Sequence, residues 1–310
     1  MSTIAITGGT GFIGRALVSA HLLRGDRVRV LTRRPGSEPP GSIPFLGNLS
    51  TIPPVDFIDG ADIVYHLAAE LREPTAMHAV NVVGTGRLLA AAAGRFGAWV
   101  QLSSVGVYGP GMPGVPITES TQPAPASAYE RSKLAADQLV ARVCSGMGAR
   151  WCIVRPSTVI GADMRTQSAR SLARAVIGRR FFYIGAPDAV CTFIHVDDVV
   201  RALMAASAAP RGTMVNLSSD CAWTALVTRI CERARRKPPR LRMPVGLARP
   251  LARVIGRLPG VPLTGSRVDS LSRRGGFPTD LAQELIGFRP SRPMPQGFDE
   301  ITDQVLLQWH

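Results

Sequence analysis

Tyr129 and Lys133 stand four residues apart, on a stretch from Tyr129 to Cys144 that reads as a helix. That spacing puts a phenol and an ammonium one turn apart on the same face. An unperturbed phenol, with a pKa near ~10, is a poor base at neutral pH. The ammonium, joined by the positive ring of an oxidised nicotinamide, favours the phenolate and is expected to lower that pKa. Ser104 follows a predicted strand, Trp99–Ser103, and can donate a hydrogen bond to the same substrate oxygen. The three together could move a proton on and off an alcohol or carbonyl oxygen while hydride passes to or from its carbon.

Such chemistry needs a dinucleotide, and the first residues supply a place for one. Ile4 to Ile6 reads as a short buried strand, apolar without alternation. Gly8, Gly11 and Gly14 then lead into a predicted helix, Arg15 to Arg24. Gly8 allows a tight turn, Gly11 lets backbone approach a pyrophosphate, and Gly14 lets helix and strand pack closely. The phosphates would sit against the free N–H groups of that helix start, around Phe12 and Ile13. The second strand, Arg27 to Thr32, ends in Thr32-Arg33-Arg34. An acid at that end would bind ribose hydroxyls, whereas arginines suit a 2′-phosphate. NADP(H) is therefore the expected cofactor, with NAD as the alternative.

The elements that must position these groups follow a βα rhythm. A short strand near Phe45 and a strand from Asp62 to Leu67 come next, the latter running into Ala68 and Ala69, small enough for close cofactor approach. A helix opens at Asn81 and runs to about Ala93. Residues 109–127 carry five prolines and read as loop. After Trp151–Pro156 the rhythm weakens. Thr192–Val196 is expected to return to the sheet ahead of a helix from Asp197 to Ala206. Val215–Leu217 and helices near 222–235, 244–257 and 297–308 are assigned to a smaller lobe. The expected fold is α/β, a Rossmann-type doubly wound parallel sheet with a smaller, discontinuous C-terminal lobe. Residues 1–160 form the sheet domain, with 191–208 returning to it; 161–190 and 209–310 form the substrate lobe.

Composition bounds the setting. The 310 residues carry a formal charge of +14, and eleven of those net charges fall between Arg233 and Arg274, where Asp269 is the one acid. Such a segment suits an anionic ligand or an acidic membrane. No aromatic-interleaved basic stripe points to nucleic acid. Five cysteines without CxxC spacing (Cys144, Cys152, Cys191, Cys221 and Cys231) predict reduced thiols and a cytoplasmic setting. The first strand begins almost at Met1, so no leader is expected.

The chain resembles the extended short-chain dehydrogenase/reductases, the group of nucleotide-sugar epimerases and dehydratases. TGGTGFIG is similar to their cofactor loop, HLAA (His66 to Ala69) to their fourth-strand signature, and NVVGT to their Asn-containing helix start. LSSVGVYG, YERSK, VRPSTVIG, FIHVDDVV and ELIGFRP extend the likeness over nearly the whole chain. The resemblance implies that Ser104 orients substrate, Tyr129 is the acid/base, and Lys133 also holds the nicotinamide ribose. It adds Leu67, Ala68, Ala69, Asn81 and Pro156 to the cofactor site. It also puts Asn48 where an acid often meets the adenine amine.

Two departures narrow the reading. Family dehydratases carry Thr-Asp-Glu where this chain has Ser104, Val105 and Gly106, which argues against a 4,6-dehydratase. Many nucleotide-sugar enzymes have an Arg where this chain has Cys191, so Arg267, Arg273 or Arg274 would have to meet a diphosphate. The expected activity is a 4-ketoreductase or 4-epimerase of a nucleotide-linked sugar, working as a monomer or homodimer. A reductase of a hydrophobic keto compound and a non-catalytic dinucleotide-binding scaffold are the alternatives. In the segment 244–258, Leu247, Leu251, Val254, Ile255 and Leu258 form an apolar stripe, with Arg249, Arg253 and Arg257 largely off it. That helix either covers the substrate lobe or lies peripherally on the inner face of an anionic membrane.

Overall fold

The computed structural model describes residues 1–51, 54–112, 114–164, 168–255 and 265–308. Seven strands form one sheet: β1 (Thr3–Thr7), β2 (Arg27–Thr32), β3 (Ile43–Leu46), β4 (Ala61–His66), β5 (Phe96–Leu102), β6 (Arg150–Pro156) and β7 (Thr213–Leu217). Their spatial order is β7-β6-β5-β4-β1-β2-β3, and every pairing is parallel. The winding direction reverses at β1, between β2 and β4, so a ligand crevice opens there at the C-terminal strand ends.

Both faces are covered, which is why the strands are apolar on both sides. Ile4 and Ile6 of β1 pack with Leu17 of α1 (Phe12–Leu23) and Leu203 of a helix at Val196–Ala206. Ala5, on the opposite face, joins Leu88 of α2 (Gly84–Ala92) and Val140 of α3 (Ala128–Gly146). The Val196–Ala206 helix is α4.

Three placements differ from the sequence expectation. Val215–Leu217, assigned to the smaller lobe, is part of β7, the edge strand beside β6. Val215 and Leu217 are buried against the α4 layer, so this strand covers core that β6 would otherwise expose. Phe193–His195 does not rejoin the main sheet. It pairs with Thr158–Ile160, a short parallel ladder just past Pro156. Near the C-terminus, the helix Asp280–Ile286 ends on Gly287 in the left-handed region (φ 63), which turns Phe288 into the main core. The ELIGFRP stretch thus ties the end of the chain to the sheet domain.

The second lobe has its own core, in which Trp223 and Leu226 of α5 (Trp223–Arg233) meet Phe298 and Ile301. Beside it, α6 (Val245–Ile255) packs through Ala248 and Ala252 onto Ile184 and Val268. This reverses the lid expectation: Leu247, Leu251 and Val254 are exposed. Arg257, Leu258 and the side chain of Ile255 lie outside the described residues.

Candidate active site

The glycine loop folds as its spacing predicts. Gly8 has φ +73, and a Cβ there would lie 2.7 Å from the Ala68 nitrogen. A Cβ on Gly14 would lie 2.0 Å from the Gly8 carbonyl oxygen. Both positions therefore require glycine. Gly11 precedes α1 as its N-cap, no side chain caps the helix, and its first turn holds no acid. These free N–H groups and the positive helix end form a cradle that fits a pyrophosphate. The side chains of Phe12 and Ile13 point into protein, Phe12 beside the second core and Ile13 beside the first. What these two residues offer a cofactor is backbone.

β4 completes the floor of the crevice through a directed chain of hydrogen bonds. The Ala68 N–H donates to Thr7 Oγ1 at 3.2 Å, and Thr7 Oγ1 meets His66 Nδ1 at 2.6 Å. His66 Nε2 meets Thr85 Oγ1 at 2.8 Å, and that hydroxyl donates to the Asn81 carbonyl at 2.6 Å. Since the Thr85 proton is committed, Nε2 of His66 carries the ring proton and Nδ1 accepts from Thr7. Burial, helped by the Lys133 charge, pushes the His66 pKa down to about 3, so the ring stays neutral. His66 is thus a structural residue with both ring nitrogens satisfied.

Asn81 sits in a π-helical turn, Ala79–Val83, between the helix Pro74–His78 and α2. It is buried; its Nδ2 donates to Ser132 Oγ at 2.9 Å and to the Glu70 carbonyl at 3.1 Å, and its Oδ1 accepts from the Glu70 N–H at 2.7 Å. Ser132 in turn donates to the Tyr129 carbonyl. Asn81 thus locks the loop after β4 to the helix that carries Tyr129.

α3 is started by a capping box. Ser127 accepts from the Glu130 N–H, and the Glu130 carboxylate accepts from the Ser127 N–H. This fixes the first turn, where Tyr129 stands. Ser104 caps a short 3₁₀ turn, Val105–Tyr108, by accepting from the Gly106 N–H at 3.1 Å, which leaves its own proton available. A Cβ on Gly106 would lie 3.1 Å from Glu130 Cγ, so the Ser104 turn abuts the first turn of α3. Lys133 is buried and donates to the Leu102 carbonyl, at the end of β5, at 2.5 Å. The Ser104 turn and Lys133 are thus at the C-terminal edge of β5, and Tyr129 stands one turn before Lys133 on the same helix.

One electrostatic expectation is corrected. Lys133 does not lower the Tyr129 pKa in the protein itself. Burial, then the charges of Asp137 and Glu130, push that phenol up to about 12. Burial also pushes the Lys133 pKa down, with Asp137 pulling the other way. Among the described residues the Tyr129 hydroxyl makes no hydrogen bond, so the group is protonated and free to donate.

Behind the site lies a buried network that sequence reasoning missed. Asp137 accepts from Ser103 Oγ at 2.8 Å and from Arg155 Nε at 3.0 Å. Arg155 also donates to the Tyr108 hydroxyl at 2.8 Å, which donates to Asn216 Oδ1 at 3.1 Å. Burial works against the Arg155 charge, yet Asp137 and Tyr108 hold its pKa above the ordinary value. The network pins both ends of the Ser104 segment to α3, β6 and β7. Asp137, four residues beyond Lys133 on the same helix face, was the one readable signal. Nothing in the sequence pointed to Asn216.

At the adenosine end, Arg33 and Arg34 are exposed after β2, as a 2′-phosphate clamp would need. Arg15 joins them: its guanidinium donates to the Thr10 carbonyl at 3.2 Å and to the Ser37 carbonyl at 2.5 Å, bridging glycine loop and arginine turn. Asn48 does something else than expected. Its Oδ1 accepts from the N–H groups of Ser50 and Thr51, at 2.7 and 3.0 Å, so the oxygen meant for the adenine amine is engaged in its own turn. Pro156 is buried at the end of β6, at the same strand edge.

A cleft opens between the loop after the Ser104 turn and the second lobe, lined by Pro110, Gly111, Ile117, Ser272 and Arg273 among others. Cys191 is buried, paired across an antiparallel ladder with Cys221, and its Sγ lies 3.2 Å from Cys221 Sγ. Arg274 is held by Asp188. Arg273 stacks over Phe277 at 5.5 Å and makes no ion pair among the described residues.

Comparisons agree with this geometry. The NAD dependent epimerase/dehydratase family matches residues 4–218. A 4-hydroxy-2-methyl-3-oxo-4-farnesyl-3,4-dihydroquinoline-1-oxide ketoreductase of Stigmatella aurantiaca is 32% identical over 69% of this chain and 67% of its own length. A dTDP-6-deoxy-L-talose 4-dehydrogenase (NAD(P)(+)) of Kitasatospora kifunensis is 29% identical over 72% of this chain and 75% of that one. The solved structure of MoeE5 in complex with UDP-glucose and NAD covers 100% of both chains, with TM-score 0.75 and 25% identity. By its glycine cradle, its Ser104, Tyr129 and Lys133 edge and this match over most of its length, the chain belongs to the NAD(P)-dependent epimerase/dehydratase family, the extended short-chain dehydrogenase/reductases.

Proposed function

We infer that the chain is an NADP(H)-dependent reductase or epimerase acting at a hydroxyl/keto carbon, with Ser104, Tyr129 and Lys133 as its catalytic residues. The observation that carries this reading is that the Ser104 turn abuts the helix turn of Tyr129 and Lys133 at the end of β5, on the same edge of the parallel sheet as the glycine cradle. Bound NAD(P) supplies or accepts the hydride. In the reducing direction Ser104 donates to the carbonyl oxygen and holds it, and the Tyr129 phenol delivers the proton that makes it a hydroxyl. Lys133, anchored on Leu102, holds a positive charge beneath this edge, which favours the phenolate left once Tyr129 has given its proton. In the oxidising direction the same phenol must first give up its proton, and positive charge at the site is what makes that accessible. Epimerisation needs the same residues and a keto intermediate that is reduced on its other face. Water elimination is not supported, because Val105 and Gly106 carry no acid at the two positions where family dehydratases have one.

The substrate taken first is a nucleotide-linked sugar. Arg273, half-buried beside the cleft and outside any ion pair among the described residues, is the cation suited to a diphosphate. A second reading, a hydrophobic keto compound, is favoured by Cys191, whose buried thiol contacts Cys221 and leaves no cation at that position. The test is a thermal-shift and turnover panel with NADPH present, comparing UDP- and dTDP-4-keto sugars with lipophilic ring ketones. A sugar nucleotide that stabilises the protein and oxidises NADPH supports the first reading. Turnover of the lipophilic ketones alone selects the second, and turnover of neither class contradicts both.

A further inference from the structure

We propose that the second lobe docks on an anionic lipid bilayer through α6 and the basic segment that leads into it. The observation is a helix laid the wrong way round for a simple lid. Its small residues, Ala248 and Ala252, face the protein. Its large ones face outward: Leu247 is 66% exposed, Val254 73% and Leu251 37%. These three recur at spacings of four and three, so they form one continuous stripe along the helix. Burying alanine and exposing leucine is the reverse of what a water-facing helix does, and it calls for an apolar phase on the outer side.

Charge says which phase. From Arg235 to Val254 the chain has no acid and six basic residues besides Arg235. Arg235, Arg236, Lys237, Arg240 and Arg253 are exposed and make no ion pair among the described residues. Other arginines of this lobe are paired: Arg229 with Asp299, Arg233 with Asp303, Arg274 with Asp188, Arg292 with Glu300 and, on α6 itself, Arg249 with Asp269. Unpaired cations beside an outward apolar stripe are the features of a helix lying in a lipid interface, with leucines among acyl chains and cations at anionic headgroups. No helix among the described residues is long and apolar enough to cross a membrane, so the attachment is peripheral. The apolar stripe and the five unpaired cations belong neither to the Ser104 edge nor to the lining of the cleft beside it.

Co-sedimentation of the full chain with vesicles of phosphatidylcholine, with or without phosphatidylglycerol, tests the proposal. At about 0.05 M salt the protein should partition at least about tenfold more strongly onto the anionic vesicles, and about tenfold less at about 0.5 M, where screening shortens the reach of the charges. Leu247→Ser with Leu251→Ser keeps the charge and should weaken binding by about tenfold, because two apolar side chains no longer leave water. Arg235→Glu, Arg236→Glu and Arg253→Glu together should abolish it. All these positions are exposed, and an unchanged thermal melt confirms that each variant folds. Wild-type protein that stays in the supernatant with anionic vesicles overturns the proposal and leaves an acidic protein surface as the occupant. Equal binding to neutral vesicles overturns the charge argument. Wild-type dimers that dissociate in the double serine variant, without vesicle binding, would make the stripe a contact between two copies of this chain.

Discussion

Asn81 and Ser132 are joined by a 2.9 Å hydrogen bond, and through it the turn after β4 is fastened to the helix that presents Tyr129 and Lys133. The bond is buried, and Asn81 uses its other polar atom on the Glu70 backbone. Cofactor floor and proton donor are thereby held as one body. Turnover should depend on this link although Asn81 itself carries no chemistry.

Asn81→Leu should therefore lower stability as well as activity. It strands the Glu70 N–H and carbonyl, and a buried unsatisfied group is unfavourable by about 1–3 kcal/mol. Urea unfolding should show a loss of that size, and turnover should fall while the fold is retained. A variant with an unchanged unfolding midpoint would show that the link carries nothing.

All four tyrosines should titrate late. Burial comes first among the causes raising Tyr65, Tyr108, Tyr129 and Tyr183, and Tyr129 is pushed up to about 12. The fold holds these protons more tightly than the unfolded chain does. Stability from this source is thus full below about pH 10, the unfolded value, and is lost as pH rises through the folded values. Tyrosinate absorbance of the native protein at about pH 10 should lie well below that of the urea-unfolded chain. Saturating NADP+ should bring one phenol down, and Tyr129→Phe should remove that response. A phenol that titrates near neutrality without cofactor would contradict the burial argument.

The arginine corner predicts cofactor choice. NADPH should bind more tightly than NADH, and Arg33→Ala with Arg34→Ala should remove most of the difference. Charge-assisted hydrogen bonds to a phosphate contribute about 1.5–3 kcal/mol, so the preference should drop by roughly 10- to 100-fold. Arg15→Ala should take a smaller share, because its guanidinium is already engaged by two carbonyls. Fluorescence titration with both cofactors decides it. Equal affinity of the unmodified protein for the two would remove the role given to these residues.

Much of this was legible because local constraints report themselves in sequence. Gly8 and Gly14 are glycines because backbone comes too close for a Cβ, and a spacing rule captures that. Ser104 could be placed at a strand end because β5 is a plain apolar run. What could not be read depends on distant partners. Asn216 reaches Tyr108 across 108 residues, and no local pattern marks either. The inward face of α6 stayed open between two readings because the periodicity of Leu247, Leu251 and Val254 gives the stripe but not its direction. Asn48 was misplaced because a short polar side chain that caps its own turn looks, in sequence, like one free for a ligand. The Tyr129 pKa was misjudged because spacing reports the nearby ammonium and says nothing of burial.

The most direct test of the account is the turnover of Tyr129→Phe, with NADPH and the substrate that the panel identifies. The substitution keeps the ring and removes the proton. The account predicts a loss of at least the ~10²-fold typical of general acid–base groups, with NADPH affinity within a few-fold of wild type. Turnover within a few-fold of wild type would mean that the proton comes from elsewhere, and would contradict the mechanism.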